Sequence, residues 1–172
     1  MSKVINKDLN QNNEFKTYIT TLKIHTNSVL CLTILNDGRL VSGSSDNSII
    51  IYNKETYQPN IIIQEHDDAI NYLIQLKNGI LASCSNDKTI KLFNIKENEY
   101  ELIQTLNLHY RWVNKILELS NNYLVSGSYD ETIIFYIKED IKYKKDYSIS
   151  ASDFVCDIIE TKRNEIDIQH GI

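Results

Sequence analysis

The sequence has little of what marks a disulfide-rich, membrane-spanning or nucleic-acid-binding protein. It contains one proline, five glycines and three cysteines in 172 residues. The cysteines are odd in number and far apart, without a CxxC pair, so neither a disulfide framework nor a zinc site is expected. No uninterrupted apolar run approaches the ~18 residues of a transmembrane helix. Lysine and arginine are scattered along a chain of net charge −5, which argues against a basic surface for nucleic acid.

What is present is the composition of a folded domain in a reducing compartment. Hydrophobic residues make up 42% of the chain and charged residues 24%, which excludes a disordered chain. Unpaired cysteine spacing is typical of proteins that are not secreted. We therefore expect a cytoplasmic protein, with the nucleus as the alternative location.

A tandem repeat is the strongest feature of the sequence. Three segments of 29 residues, which begin at His25, His66 and His109, align without a gap. Successive histidines are 41 and then 43 residues apart, and an aspartate always follows the histidine by 21 residues. Constant spacing inside each segment, with variable spacing between segments, indicates duplicated structural units. The positions identical in all three are the histidine, Leu35/Leu76/Leu119, Leu40/Leu81/Leu124, Ser42/Ser83/Ser126, Ser44/Ser85/Ser128, Asp46/Asp87/Asp130 and Ile49/Ile90/Ile133.

Each unit predicts four antiparallel β-strands. In the first unit an apolar run over 29–34 ends at Asn36-Asp37-Gly38, whose residue types favour a tight turn between two strands. A second run covers 40–44, and a third, rich in β-branched and aromatic residues, covers 49–52. A less regular fourth run precedes the next histidine. Four strands per unit of about 40 residues predict an all-β fold of the β-propeller type, with one blade per unit.

These residues resemble the WD-repeat β-propeller family. In that family a histidine before the first strand, a serine or threonine on the second, an aspartate in the next turn and a tryptophan on the third form a hydrogen-bonded tetrad. Tyrosine or phenylalanine replaces the tryptophan here, and Phe93 has no hydroxyl, so the second unit is expected to have a three-membered network. The resemblance implies three structural tetrads: His25, Ser42, Asp46 and Tyr52; His66, Ser83, Asp87 and Phe93; His109, Ser126, Asp130 and Tyr136.

The units divide the chain into a polar N-terminal tail, residues 1–14, and a propeller segment, residues 15–172. Units fall at about 25–65, 66–108 and 109–150, followed by a partial unit over 151–172. Residues 15–24 are interpreted as the outer strand of a preceding blade, which makes three complete blades and partial blades at both ends. Three arrangements are compatible with this pattern: part of a longer propeller, a half-ring completed by a second chain, and a four-bladed ring in which 15–24 pairs with 154–168. An open arc exposes apolar blade faces and predicts possible self-association.

The recurring serine, histidine and aspartate raise the alternative of a hydrolase triad. A catalytic set occurs once, whereas this set occurs three times at fixed spacing, so we predict no enzyme and no catalytic residue. The sequence contains no GxGxxG motif, no Walker motif and no metal-ligand cluster, so no cofactor and no metal are expected. The cysteines are interpreted as small core residues, since Cys31 and Cys84 fall inside strand runs.

The predicted function is a non-catalytic scaffold for a protein or peptide partner, without nucleic acid or membrane. Loop residues after each histidine and before each aspartate should reach one rim of the blades. In the third unit these are Tyr110, Arg111, Trp112 and Tyr129, whose types are enriched at binding hot spots. A central Arg111 favours an acidic or phosphorylated partner. The alternative function is an assembly module: a half-propeller completed by another chain, or part of a larger WD-repeat protein that recruits partners to a ligase, kinase or signalling complex.

Overall fold

β-Strands are the regular secondary structure of this chain. The computed structural model describes residues 2–9, 15–163 and 165–170, with side chains from residue 21 onward. In this part of the chain no helix is long and apolar enough to cross a membrane. The strands are β1 (Ser2–Leu9), β2 (Phe15–Leu22), β3 (Val29–Ile34), β4 (Leu40–Ser44), β5 (Ile49–Tyr52), β6 (Pro59–Ile63), β7 (Ile70–Gln75), β8 (Leu81–Ser85), β9 (Ile90–Ile95), β10 (Tyr100–Leu106), β11 (Val113–Glu118), β12 (Leu124–Ser128), β13 (Thr132–Glu139), β14 (Lys142–Ser150), β15 (Val155–Glu160) and β16 (Ile166–His170).

Each complete repeat forms one four-stranded antiparallel sheet. The three sheets are β3-β4-β5-β6, β7-β8-β9-β10 and β11-β12-β13-β14, so their strands follow chain order from the inner to the outer edge. We call them the first, second and third blades. Two-stranded sheets, β1-β2 and β15-β16, precede and follow them. The predicted all-β fold of three complete blades between partial ones is confirmed.

The turn between the first two strands of each blade contains a glycine or an asparagine with a positive φ. Gly38 and Gly79 have φ values of 88° and 87°, and Asn122 has φ 68° at the equivalent place in the third blade. Glycine and asparagine adopt this left-handed conformation at little cost. Each of the three amides donates to the carbonyl of the leucine that directly follows the preceding strand, at 2.8, 2.8 and 3.0 Å.

The N-terminal segment differs from the expected polar tail. Residues 2–9 form β1, which pairs with β2 in continuous register from Ser2↔Leu22 to Leu9↔Phe15. A ladder of backbone hydrogen bonds does not depend on apolar side chains, so a polar sequence can still supply a strand. The four-bladed ring, in which residues 15–24 pair with 154–168, is not found in the described residues. There β2 pairs with β1, and β15 pairs with β16. The remainder of the predicted tail lies outside the described residues.

Apolar side chains fill the spaces between successive blades. Leu73 on β7, Ile116 on β11 and Ile158 on β15 are buried among side chains of the preceding blade. Cys84 is fully buried in the core between the second and third blades. The equivalent residue on β3, Leu32, is 52% exposed. Each blade therefore depends on a neighbour to cover its inner strand, and the packing places the loops after the histidines along one common rim.

Candidate functional site

Each repeat histidine lies between an aspartate and a serine. Nδ1 of His66 is 2.6 Å from Oδ2 of Asp87, and Nε2 is 2.7 Å from Oγ of Ser83. Because a carboxylate only accepts, Nδ1 carries the proton and Nε2 accepts from the serine hydroxyl. The equivalent distances are 3.0 and 2.6 Å for His25 with Asp46 and Ser42, and 2.9 and 2.7 Å for His109 with Asp130 and Ser126.

The aromatic member extends this chain of hydrogen bonds in two blades. Tyr52 Oη lies 3.0 Å from Ser42 Oγ, and Tyr136 Oη lies 2.9 Å from Ser126 Oγ. Phe93 occupies the same position in the second blade, where Ser83 Oγ has instead a long contact of 3.5 Å to the carbonyl of Lys91. The second blade therefore has three network members where the others have four.

A further hydroxyl completes every network and was not part of the sequence prediction. The side chain two residues after each aspartate, Ser48, Thr89 or Thr132, donates to the carboxylate at 2.5–2.6 Å. The backbone amide of the same residue also donates to it at 2.9–3.1 Å. A hydroxyl at this spacing in all three units is the signal that could have identified these residues.

These donors determine the ionisation of the three aspartates. Burial raises the pKa of Asp46, but hydrogen bonds from Ser48, the amide of Thr26 and His25 outweigh burial and hold the pKa below its usual range. The pKa values of Asp87 and Asp130 are lowered by corresponding partners against the same effect of burial. For His109, burial lowers the pKa more than the charge of Asp130 raises it.

The networks are enclosed, and in this they differ from a catalytic triad, whose hydroxyl must be accessible to a substrate. Ser42, Ser83 and Ser126 are all 0% exposed, so no substrate can reach their hydroxyls. Burial also raises the pKa of the Cys31 thiol to about 12 and that of Cys84 well above its ordinary value, which keeps both unreactive at neutral pH. Among the described residues no group of three or more His, Cys, Asp or Glu side chains could hold a metal ion.

The rim of the third blade carries a cluster of three aromatic rings in contact. The amide of Tyr129 donates to the carbonyl of Trp112 at 2.9 Å, and the two rings lie 5.2 Å apart at 60°. Phe154, from the loop before β15, stacks on Tyr129 at 4.5 Å and 10°. We call Trp112, Tyr129 and Phe154 the aromatic patch. Trp112 is 47% exposed.

The structure thus brings Trp112 and Tyr129 together as expected of loop neighbours, and adds Phe154. Phe154 follows Ala151 by three residues, as Trp112 follows His109. Since Ala151 replaces the repeat histidine, that spacing was the only signal for Phe154. Tyr110 and Arg111 are exposed on the same loop, Tyr110 to 84%.

The other blades have small side chains at the positions of the patch. The amide of Ser45 donates to the carbonyl of Ser28 and that of Asn86 to Ala69, so the backbone arrangement is repeated. Only the side chains change to aromatic in the third blade. The patch is therefore a local departure on a repeated framework.

Comparison with known proteins agrees with the fold. The family model described as "WD domain, G-beta repeat" matches residues 16–53, 57–94 and 100–136, about two thirds of the chain. The chain belongs to the WD40 repeat family. Its WD40 repeats are also similar to a solved structure, the WD40 beta propeller domain of Doa1, with a TM-score of 0.74 and 21% identity over 96% of this chain and 56% of that one.

Curated proteins are similar to part of the chain. Nuclear distribution protein PAC1 of Candida albicans is 36% identical over 101 residues, 58% of this chain and 19% of that protein. An uncharacterized WD repeat-containing protein of Schizosaccharomyces pombe is 34% identical over 87 residues, 49% of this chain and 16% of that protein. Elongator complex protein 2 of Mus musculus is 31% identical over 109 residues, 54% of this chain and 13% of that protein. The chain spans less than a fifth of the length of these relatives.

Proposed function

We propose that this WD40 chain is a non-catalytic scaffold that binds a protein or peptide segment at the aromatic patch. The observation that carries the proposal is the cluster of Trp112, Tyr129 and Phe154 on the rim, in which Trp112 is exposed and the other two rings are half-buried. Aromatic side chains offer a large contact area at low entropic cost and dominate binding hot spots. The buried serines of the three networks leave the rim, and not the networks, as the place for a partner.

The backbone that carries the patch is held firmly, which supports a pre-formed binding surface. The amide of Tyr110 donates to Asp130 at 2.9 Å, and Ser128 Oγ donates to the carbonyl of Arg111 at 3.3 Å. With the bond from Tyr129 to Trp112, these contacts fix both sides of the loop. A surface already ordered in the free protein loses little conformational entropy on binding.

The three free cysteines support the proposed location in the cytoplasm or nucleus.

Selection of a random peptide library on the immobilised chain tests this proposal. We expect enriched peptides whose affinity falls about tenfold or more in Trp112→Ala, since hot-spot truncations cost about 2 kcal/mol. The melting temperature should stay within a few degrees. Tyr147→Ala is the matched control, because Tyr147 is also 47% exposed and stacks on Phe135 at 4.4 Å. No enrichment, or equal effects of the two substitutions, contradicts the proposal. A large drop in melting temperature places Trp112 in the core.

The exposed face of β3 favours assembly as a second candidate function. Leu30, Leu32 and Ile34 are 48%, 52% and 67% exposed, although a neighbouring blade covers the equivalent strands β7, β11 and β15. Sedimentation over a hundredfold concentration range separates the two candidates. A monomer at all concentrations supports the first, whereas association that Leu32→Ser abolishes supports the second.

A further inference from the structure

The second residue after the histidine position makes the same local hydrogen bond in three of the units. Asn27, Asp68 and Asp153 each accept a hydrogen bond from the next backbone amide through Oδ1, at 2.8, 2.7 and 2.7 Å. These side chains turn back onto their own loop and shape the entry to the first strand. The third blade has Arg111 at this position, and arginine has no acceptor atom. The loop bond is therefore absent from the blade that carries the aromatic patch.

The guanidinium groups of Arg111 and Arg39 differ in their hydrogen bonds. Nε of Arg39 donates to Asp37 at 2.8 Å, and Nη1 donates to the carbonyls of Lys96 and Glu97. Arg39 thus ties two blades together. Arg111 is exposed and forms no side-chain hydrogen bond or ion pair with the residues that the structure describes. Its five N–H donors are thus available to a partner, and Trp112 is the next residue of the same loop.

The charges along the rim limit what such a donor can bind. Exposed acidic side chains of the same loops and turns are Asp67, Asp68, Glu131 and Asp153, against Lys88 and Arg111 as the basic ones. Glu131 and Asp153 belong to the turn and the loop that carry Tyr129 and Phe154, so Arg111 is a cation on a part of the rim that also carries acidic side chains. A partner with many negative charges is repelled by the acidic side chains, whereas one carboxylate can pair with the guanidinium in the bidentate geometry that arginine favours.

We propose that the aromatic patch and Arg111 together recognise a peptide segment in which a single Asp or Glu side chain stands within a few residues of an aromatic or large apolar side chain. The carboxylate binds Arg111 and the apolar side chain packs on Trp112. A phosphorylated residue is disfavoured, because it carries close to two negative charges and recognition commonly uses several cations. This inference rests on the proposed function and specifies the chemistry of its partner.

A charge-exchange experiment tests the inference. Phage-displayed random peptides are selected on the full chain and, in parallel, on Arg111→Glu. We expect peptides from the unchanged chain to combine Asp or Glu with an aromatic or large apolar residue, and peptides from Arg111→Glu to replace the acid with Lys or Arg. A selected acidic peptide, labelled for fluorescence anisotropy, should bind Arg111→Gln about tenfold or more weakly. Arg163→Glu, which reverses an exposed charge on another turn, should bind it as the unchanged chain does.

The outcomes separate this inference from the proposed function. Peptides that lose affinity in Trp112→Ala but carry no acid, or bind equally to Arg111→Gln, overturn the role of Arg111 and leave the docking surface in place. Tighter binding when the Asp or Glu of the selected peptide is replaced by phosphoserine also overturns it. Failure to select any peptide that depends on Trp112 overturns both. Because Arg111 is exposed, these variants are expected to fold, which circular dichroism checks.

Discussion

Glu118 of the third blade accepts a hydrogen bond from the backbone amide of Lys77 in the second blade, at 2.6 Å. The same bond recurs between the first and second blades and between the third blade and the β15-β16 sheet. Gln75 accepts from the amide of Asn36 at 2.6 Å, and Glu160 accepts from that of Ser120 at 2.8 Å. The last side chain of β7, of β11 and of β15 thus holds the first turn of the blade before it.

Replacing Glu118 measures the contribution of this bond between blades. We expect Glu118→Ala to lower the free energy of unfolding by about 1 kcal/mol or more, because the amide of Lys77 loses a charged acceptor. Glu118→Gln should lose less, since Gln75 makes the same bond with an amide oxygen. Urea unfolding of both variants, with exposed Glu101→Ala as control, gives the comparison. An effect no larger than that of the control is inconsistent with a stabilising bond.

Two buried tyrosines predict opposite effects of removing a hydroxyl. Tyr136 is 0% exposed and donates to Ser126, whereas Tyr143, 2% exposed, has a buried hydroxyl without a hydrogen-bond partner in the described residues. A buried polar group without a partner costs about 1–3 kcal/mol. Tyr143→Phe should therefore be neutral or stabilising, and Tyr136→Phe should destabilise by about 1 kcal/mol. Denaturant midpoints that fall equally in both variants would refute this contrast.

Phe93→Tyr should restore the missing member of the second network. Its hydroxyl would meet Ser83 as Tyr52 meets Ser42 at 3.0 Å, and one added internal hydrogen bond contributes about 1 kcal/mol. We expect a higher melting temperature for Phe93→Tyr and a lower one for Tyr52→Phe. Calorimetry provides the measurement. A lower melting temperature for Phe93→Tyr would mean that the second blade has no room for the hydroxyl.

The networks predict loss of stability in acid. The folded pKa of His109 lies below its ordinary value of 6.5, and those of Asp46, Asp87 and Asp130 lie below 3.8. As the pH falls, the unfolded chain binds protons before the folded chain does, so the stability present at pH 7 declines. The decline should begin below about pH 6.5 and steepen below about pH 4.

Urea unfolding at pH 7, 5.5, 4 and 3 measures this dependence. Asp130→Asn should be less stable at pH 7 and should flatten the acid slope, because its side chain no longer titrates. Exposed Asp140→Asn serves as the control at a turn remote from the networks. A slope that Asp130→Asn leaves unchanged would show that acid unfolding has another origin.

The repeat made the blades and the network members predictable because both depend on residue type at fixed spacing. Histidine, serine and aspartate recur in every unit, and their side chains bond one another directly. Phe154 was missed because Ala151 removed the histidine that marks the start of a unit. The strand over Ser2–Leu9 was missed because its composition is polar, while its pairing with β2 involves the backbone.

The bonds between blades were not predictable for a related reason. Gln75, Glu118 and Glu160 bond to backbone amides, so nothing in the identity of Asn36, Lys77 or Ser120 signals the contact. Arg111 was selected from sequence for its residue type alone. Its distinction, the loss of a loop bond that Asn27, Asp68 and Asp153 make, is visible only from the hydrogen bonds of the other loops.

The aromatic patch occupies positions where the first two blades have serine, alanine and asparagine, and the backbone hydrogen bond that joins the two positions is present in all three blades. Evolution can thus rewrite the side chains of one copy while the duplicated framework keeps its shape. A few side-chain changes in neighbouring loops of a duplicated framework are therefore enough to give one part of the rim an aromatic surface that the other blades lack. Exchange of Ser28 and Ser45 for tryptophan and tyrosine is the corresponding route to engineer one in the first blade.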